Sequence, residues 1–444
     1  MSEDPCDLGL EEAAAALRAG RLTSAALVQA HLDRIAERDP QVGAFVHVAG
    51  DAALAAAQDA DRRLADGEDL GPLHGIPFAV KDLIDVAGWP VRGGSALFRD
   101  RVATHTAPAV QRLVEGGAIP LGLVASYELG TVGPDEESLY RQPVNPWNPN
   151  RITGGSSSGS AAAVAAGMVR LALGTDTGGS VRSPASYCGV VGWKPTAGMV
   201  PTDGILPLSP SLDHVGLIAR TAADARLAFP AMTGQGGEPP SLTGLTLAYG
   251  RSWAVDEAAH PGLLPLLDAA ASSLSLTGAA ITIVDLPDYA EIETAASDLL
   301  LAEAFASYGH AAETGVGPMA RASILSGAEI GSGRTDAARA RIDTLRAQIE
   351  AAIGPHGALI LPTTLAPAPA FADFRPGVPV WTPMRTIPFN LTGQPALSVP
   401  MGFADGLPLG LQIVGRLGAD PLILAIAAAF EAATDHGAIS PAYA

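Results

Sequence analysis

Only two lysines stand among the 27 lysines and arginines of this 444-residue chain, and both lie in glycine- and proline-rich motifs. Lys81 belongs to Gly75-Ile76-Pro77-Phe78-Ala79-Val80-Lys81-Asp82, and Lys194 to Gly192-Trp193-Lys194-Pro195-Thr196. Every other basic side chain is arginine, which keeps its proton in a protein, whereas a buried lysine can give its proton up. Lys81 follows an apolar strand, Pro77 to Val80, and is therefore a candidate neutral base. The competing reading is an ion pair with Asp82 or Asp85.

Glycine and serine crowd the segment between residues 150 and 200. Gly154-Gly155-Ser156-Ser157-Ser158-Gly159-Ser160 precedes an alanine-rich helix, and Gly174-Thr175-Asp176-Thr177-Gly178-Gly179-Ser180 precedes Val181-Arg182. Consecutive glycines let backbone N–H groups converge on one point, so the second loop fits an oxyanion hole with a serine beside it. A phosphate loop would need Gly-Lys-Ser/Thr after the glycines, and neither loop has it. Gly155-Ser156-Ser157-Ser158-Gly159 matches the G-x-S-x-G elbow, with Ser157 as nucleophile. That elbow needs a strand directly before it, and Asn145 to Thr153 reads as a loop. Five later histidines (His214, His260, His310, His356, His436) have no context that singles one out as a base. The third reading joins Lys81, a serine of the first loop and Ser180 in a proton relay. Both loops can also be plain tight turns.

The elements that would position these residues alternate along the chain. Asp7 is placed to cap a helix over Leu8 to Arg18, and Thr23 or Ser24 to cap a second that ends at Arg38 before Pro40, so residues 1–65 read as helical. Strands are expected at Pro77–Val80, Ile119–Val124, Leu171–Gly174, Leu245–Tyr249, Ala280–Val284 and Ala358–Leu361. Helices are expected at Ala107–Glu115, Ser157–Ala166, Pro261–Leu274, Ile292–Ser307 and Thr335–Ile353. This alternation predicts a layered α/β fold with a parallel or mixed sheet. Gly234–Thr243 reads as a surface loop inside one domain spanning residues 1–444.

A net charge of −19 argues against nucleic acid or an anionic membrane as a partner. The longest apolar runs, Ala161 to Val169 and Leu422 to Phe430, are far short of the roughly 18–20 residues of a membrane span. The first residues show neither a basic nor an apolar leader region. Cys6 and Cys188 lack a disulfide framework and suit a reducing cytoplasm, Cys188 as a small buried hydrophobe.

These motifs, taken together, resemble the amidase signature family. The resemblance rests on the Lys81 motif, the Gly-Gly-Ser-Ser-Ser-Gly-Ser run, the segment from Gly174 to Gly189, and Gly192 to Thr196. Asn145-Pro146-Trp147, Ser211 to Gly216 and Asn390 to Ala396 resemble its outlying motifs. It implies one α/β/α domain with a mixed sheet of about eleven strands. It further implies a Ser–cis-Ser–Lys triad, with Ser180 as nucleophile and Ser156, 24 residues earlier, as the shuttling serine. Lys81 is then the base, and Thr177, Gly178, Gly179 and Ser180 supply the oxyanion N–H groups. Gly130 and Ser183 carry over as substrate-pocket residues. Ser158 departs from the glycine of many relatives and adds a hydroxyl, while Lys194 becomes structural. No metal and no cofactor is expected, and a homodimer stays open.

The implied chemistry is acyl transfer to Ser180 from a small-molecule amide. The alternative is the glutamine-hydrolysing subunit of a tRNA-dependent amidotransferase. The first is preferred, because the segment before Asn145 reads Asp135-Glu136-Glu137-Ser138 where those subunits have a pattern like Thr-Glu-Asn-Ser. The relay and the elbow make opposite predictions. Ser180→Ala should cost on the order of 10⁴–10⁶ in turnover with the fold intact, whereas loss in Ser157→Ala with Ser180→Ala fully active would establish the elbow.

Overall fold

The structure, a computed structural model, describes residues 4–135, 137–237, 240–437 and 440–441. Its strands are β1 (Phe45–Val48), β2 (Pro77–Lys81), β3 (Ile119–Val124), β4 (Val144–Asn145), β5 (Asn148–Ile152), β6 (Leu171–Asp176), β7 (Val191–Lys194), β8 (His214–Ala219), β9 (Thr246–Tyr249), β10 (Ala280–Ile283), β11 (Ala358–Pro362), β12 (Ala396–Ala404) and β13 (Leu407–Gly415). Eleven of them form one sheet in the order β1-β3-β2-β6-β8-β7-β12-β13-β11-β9-β10. β2 is parallel to β3 and β6, and β9 is parallel to β10 and β11. The remaining neighbours, from β6–β8 across to β13–β11, are antiparallel, as are β1 and β3 at the edge.

Alternate side chains along each strand enter different layers, as the two-residue period of a strand requires. Phe78 and Val80 join one apolar cluster while Ala79 joins another, and Leu171, Leu173 and Ala172 divide in the same way. At the other end of the sheet Ile360 separates from Leu359 and Leu361. Helices therefore cover both faces, and the central strands are buried over their whole length. This is the mixed α/β architecture that the sequence predicts.

Several boundaries differ from expectation. The first helix begins at Leu10 after Gly9, and Asp7 instead sits in a short 3-10 turn where its carboxylate accepts from Arg34 Nη1 at 2.7 Å. The second helix runs through Pro40 to Val42, because the extra turn buries Val42 and Gly43, at φ +74°, supplies the left-handed stop. Asn145–Thr153 is not a plain loop. β4 and β5 pair there as a small separate hairpin, braced by Asn145 Nδ2, which donates to the carbonyls of Ile152 and Tyr187 at 3.0 Å each. The expected surface loop 234–243 leaves a helix at Gly234 and leads to β9, although residues 238–239 lie outside the described set.

Two packing features fix the elements that carry the serine loops. The helix Ser158–Ala165 is buried at every position and is built from small residues. A Cβ on Gly159 would lie 2.3 Å from the backbone nitrogen of Ala125, so only glycine lets this helix meet the chain leaving β3. The second loop leaves β6 and enters the short helix Arg182–Cys188, whose Arg182 side chain is fully buried.

Candidate active site

Lys81 closes β2 and is fully buried. Its Nζ donates to Ser156 Oγ at 2.8 Å and to Thr175 Oγ1 at 2.7 Å. The ion-pair reading does not hold. Asp82 accepts the N–H groups of Arg92 and Gly94, at 2.8 and 3.1 Å, and Asp85 pairs with Arg101 at 2.7 Å. Burial therefore dominates the lysine and lowers its pKa to about 7, against a smaller upward pull from Asp176 and Asp213. An unperturbed lysine would be neutral in only about one molecule in a few thousand at pH 7. Burial raises the neutral share to roughly half.

Ser156 follows a cis peptide bond from Gly155. A Cβ on Gly155 would fall 2.2 Å from the Tyr127 ring, so the loop closes only with glycine there. The carbonyl of Ser156 accepts from the Tyr127 N–H at 3.0 Å, and the Ser157 N–H donates to the carbonyl of Ser180 at 3.1 Å. That last bond holds the two serine loops side by side. Ser157 cannot serve as an elbow nucleophile, because its hydroxyl is fully buried and donates to the Thr175 carbonyl at 3.1 Å. The hydroxyl of Ser158 faces the Ala125 carbonyl at 3.4 Å.

The second loop rests on buried charge. Burial opposes ionisation of Asp176, yet Arg182 and Asn390 hold its carboxyl below the usual carboxylate range. Arg182 Nη2 donates to Asp176 Oδ1 at 2.8 Å, and the Val181 N–H donates to Oδ2 at 3.1 Å. Arg182 Nη1 reaches Gln412 Oε1 at 2.7 Å, which ties the loop to β13. Thr386 Oγ1 donates to the Gly178 carbonyl at 2.6 Å, and Thr177 Oγ1 donates to Asp213 at 2.6 Å. Burial raises the Asp213 pKa to about 6. Among the described residues, the N–H groups of Thr177, Gly178, Gly179 and Ser180 donate to no protein acceptor.

Gly178, Gly179, Ser180, Ser183 and Gly130 line one cavity. Gly130 has φ +75°, and a Cβ there would come 3.7 Å from Ser156 Oγ. The hydroxyl of Ser183 is buried without a hydrogen-bond partner among the described residues. Tyr127, Ile152, Leu208, Leu300 and Met384 supply apolar wall, and among the described residues no charged side chain lines the cavity. Ser180 thus reaches the cavity next to the free N–H groups, and Lys81 and Ser156 touch directly. Among the described residues no hydrogen bond joins Ser180 Oγ to Ser156 Oγ; hydroxyl pairs of this kind often tighten only when substrate binds.

Lys194 lies apart, its Nζ donating to the Pro195 carbonyl at 2.8 Å, and Cys188 is a packing residue whose thiol meets the Thr153 carbonyl. Sequence reasoning assigned no role to Thr175, Asp176, Arg182, Asp213, Thr386, Asn390 or Gln412. Thr175, Asp176, Arg182, Asp213 and Asn390 stand inside motifs that were already conspicuous. Nothing near Thr386 or Gln412 signals their part, which arises only when β13 and the segment before it fold onto the loop.

The family model described as Amidase matches residues 26–424. A glutamyl-tRNA(Gln) amidotransferase subunit of Chloroflexus aurantiacus (strain ATCC 29366 / DSM 635 / J-10-fl) is 36% identical over 474 residues, covering 96% of this chain and 97% of that protein. Among solved structures, one described as the crystal structure of an amidase shares 31% identity at a TM-score of 0.87, covering 96% of this chain and 99% of that chain. The native peptide amidase from Stenotrophomonas maltophilia shares 30% identity at a TM-score of 0.81, covering 96% of each chain.

The geometry at Lys81 makes a pH prediction. A protonated lysine cannot accept a proton, and its protonated share falls as pH rises through about 7. kcat/KM should therefore climb with unit slope through that region and level off above it. Lys81→Arg should lose on the order of 10²–10⁴ in rate at every pH despite keeping the charge. A flat profile with an active Lys81→Arg enzyme would place the base elsewhere.

Proposed function

The chain belongs to the amidase family, whose members act on C–N amide bonds, and we propose that it hydrolyses a neutral small-molecule amide through an acyl-enzyme on Ser180. The observation that carries this is the buried contact of 2.8 Å between Lys81 Nζ and Ser156 Oγ. Neutral Lys81 accepts the proton of Ser156 while Ser156 accepts that of Ser180, and Ser180 Oγ attacks the amide carbonyl. The N–H groups of Thr177, Gly178, Gly179 and Ser180 meet the negative oxygen of the tetrahedral intermediate. The proton returns through Ser156 to the departing amine, the C–N bond breaks, and water then cleaves the ester on Ser180. No step calls for a metal or cofactor. Residues 1–444 act as one domain in this reading, in the cytoplasm, and direct contact with nucleic acid does not suit a charge of −19.

The cavity, whose described lining carries no charged side chain, supports an apolar acyl group, bounded by Gly130 and Ser183. A second reading, the glutamine-hydrolysing subunit of a tRNA-dependent amidotransferase, is favoured by the curated relatives, because glutamyl-tRNA(Gln) amidotransferase subunits match across 96% of the chain. Glutamine carries an ammonium and a carboxylate that need charged or strongly polar partners when buried. The lining of the Ser180 cavity offers no charged one among the described residues. In this second reading a partner subunit would receive the ammonia.

Ammonia or amine release from a panel of neutral amides, with glutamine included, separates the two. The purified chain alone should turn over an apolar amide and leave glutamine untouched. Hydrolysis of glutamine alone, or silence until a partner subunit is added, would establish the second reading.

Ser183→Phe tests the acyl cavity. Overpacking costs roughly 1–3 kcal/mol where nothing can relax, so kcat/KM for an aryl-type acyl group should fall further than for an acetyl group. Ser186 bonds Thr364 at 2.9 Å away from the cavity lining, and Ser186→Ala should leave the ranking unchanged. Equal losses for both substrates in Ser183→Phe would put Ser183 outside the acyl site.

A further inference from the structure

The segment 380–386 straps the oxyanion loop. It is pinned by Tyr289 Oη, which donates to the Met384 carbonyl at 2.7 Å, and by the Arg385 N–H, which donates to the Thr363 carbonyl at 2.9 Å. The Thr386 hydroxyl, bonded to the Gly178 carbonyl, adds a third tie. Within this held strap Trp381 is 43% exposed, unusual for so large an apolar side chain. Its indole edge lies over the oxyanion loop, since a Cβ on Gly178 would meet Trp381 Cζ3 at 3.2 Å.

Trp381 also lines two cavities. One is the cavity that holds Ser180, with no charged side chain in its lining among the described residues, and the other is a groove beside it. Gly178, Trp381, Thr382 and Met384 are common to both, so a substrate that extends from the Ser180 cavity into the groove passes the indole. Farther along, the groove turns polar, with Glu293, Ser297, Asp298 and Arg334 in its walls. The flat apolar face at the junction therefore has a polar region on its outer side.

We propose that Trp381 is a specificity-determining residue, a stacking face for a flat aromatic group at the end of the amide that projects from the Ser180 cavity into the groove. The inference rests on the amide-hydrolase reading above and narrows its substrate class to aryl-bearing amides. Aromatic pairs add about 0.5–1.5 kcal/mol beyond simple burial, or roughly 2- to 12-fold in affinity. Trp381 takes no part in proton transfer, so its contribution should appear in KM and not in kcat.

The test uses two matched series of amides, one with a phenyl or methyl group on the acyl side and one with the same groups on the amine side. In one series Trp381→Ala should shrink the preference for phenyl over methyl by about 3- to 10-fold through KM, and Trp381→Phe should keep most of it. An unchanged preference in both series overturns the inference. So does an equal fall in kcat for every member, which would mean that Trp381 only supports Gly178. Binding of the same phenyl amides to Ser180→Ala protein, followed by calorimetry, decides the point without turnover. There the added Trp381→Ala change should weaken phenyl ligands selectively, and uniform binding overturns the inference. If the wild-type chain cleaves no amide of either series, the functional reading fails while the binding result still judges Trp381.

Discussion

The site depends on one amine kept out of water. Lys81 is fully buried at the end of β2 with two hydroxyls as its hydrogen-bond partners, and among the described residues no carboxylate forms an ion pair with it. Removing water penalises the ammonium form far more than the free amine. A carboxylate in contact would hold the proton on the lysine and silence it as a base. The chain gives the nearby acids other partners. Asp82 takes backbone N–H groups, Asp85 takes Arg101, and Asp176 takes Arg182 and Asn390. Selective pairing of the surrounding carboxylates is thus as much a part of the site as the lysine itself.

The second constraint is close approach. Gly155 sits against Tyr127, Gly159 against Ala125, and Gly179 against the Thr386 hydroxyl, each nearer than any Cβ allows. These contacts bring the two serine loops together over the ends of β2 and β6, where the parallel strands of one half of the sheet stop. The Asp176–Arg182 pair then stiffens the loop from beneath through β13. A buried pair of this kind is expensive to break because one charge would be left alone. Its value here is that the N–H groups of Gly178, Gly179 and Ser180 keep their directions with no acceptor of their own.

Much of this was legible from residues alone. Rarity marked Lys81, glycine clustering marked both loops, and the apolar runs at Ile119–Val124 and Ala358–Leu361 marked strands within a residue of their observed limits. What escaped notice depends on distance in sequence. β12 and β13 pair across the middle of the sheet, and β13 carries Gln412 to Arg182, 230 positions away. No local pattern announces such a contact. Pro40 misled because a proline usually stops a helix, but packing of Val42 carried the helix past it. The cavity shows the same division: Gly130 and Ser183 came from the family resemblance, whereas Trp381 arrives from a segment without a motif.

The scarcity of lysine opens the central claim to direct observation. Only Lys81 and Lys194 would respond in a protein labelled with 13C at the lysine ε carbon, and a Lys194→Met variant assigns the two signals. Titrating the Lys81 resonance measures its protonation without any substrate. A midpoint near 7 is the result that burial beside Ser156 and Thr175 predicts. A lysine that stays charged up to about pH 10, as in water, would contradict the account, because no neutral base would then face Ser156.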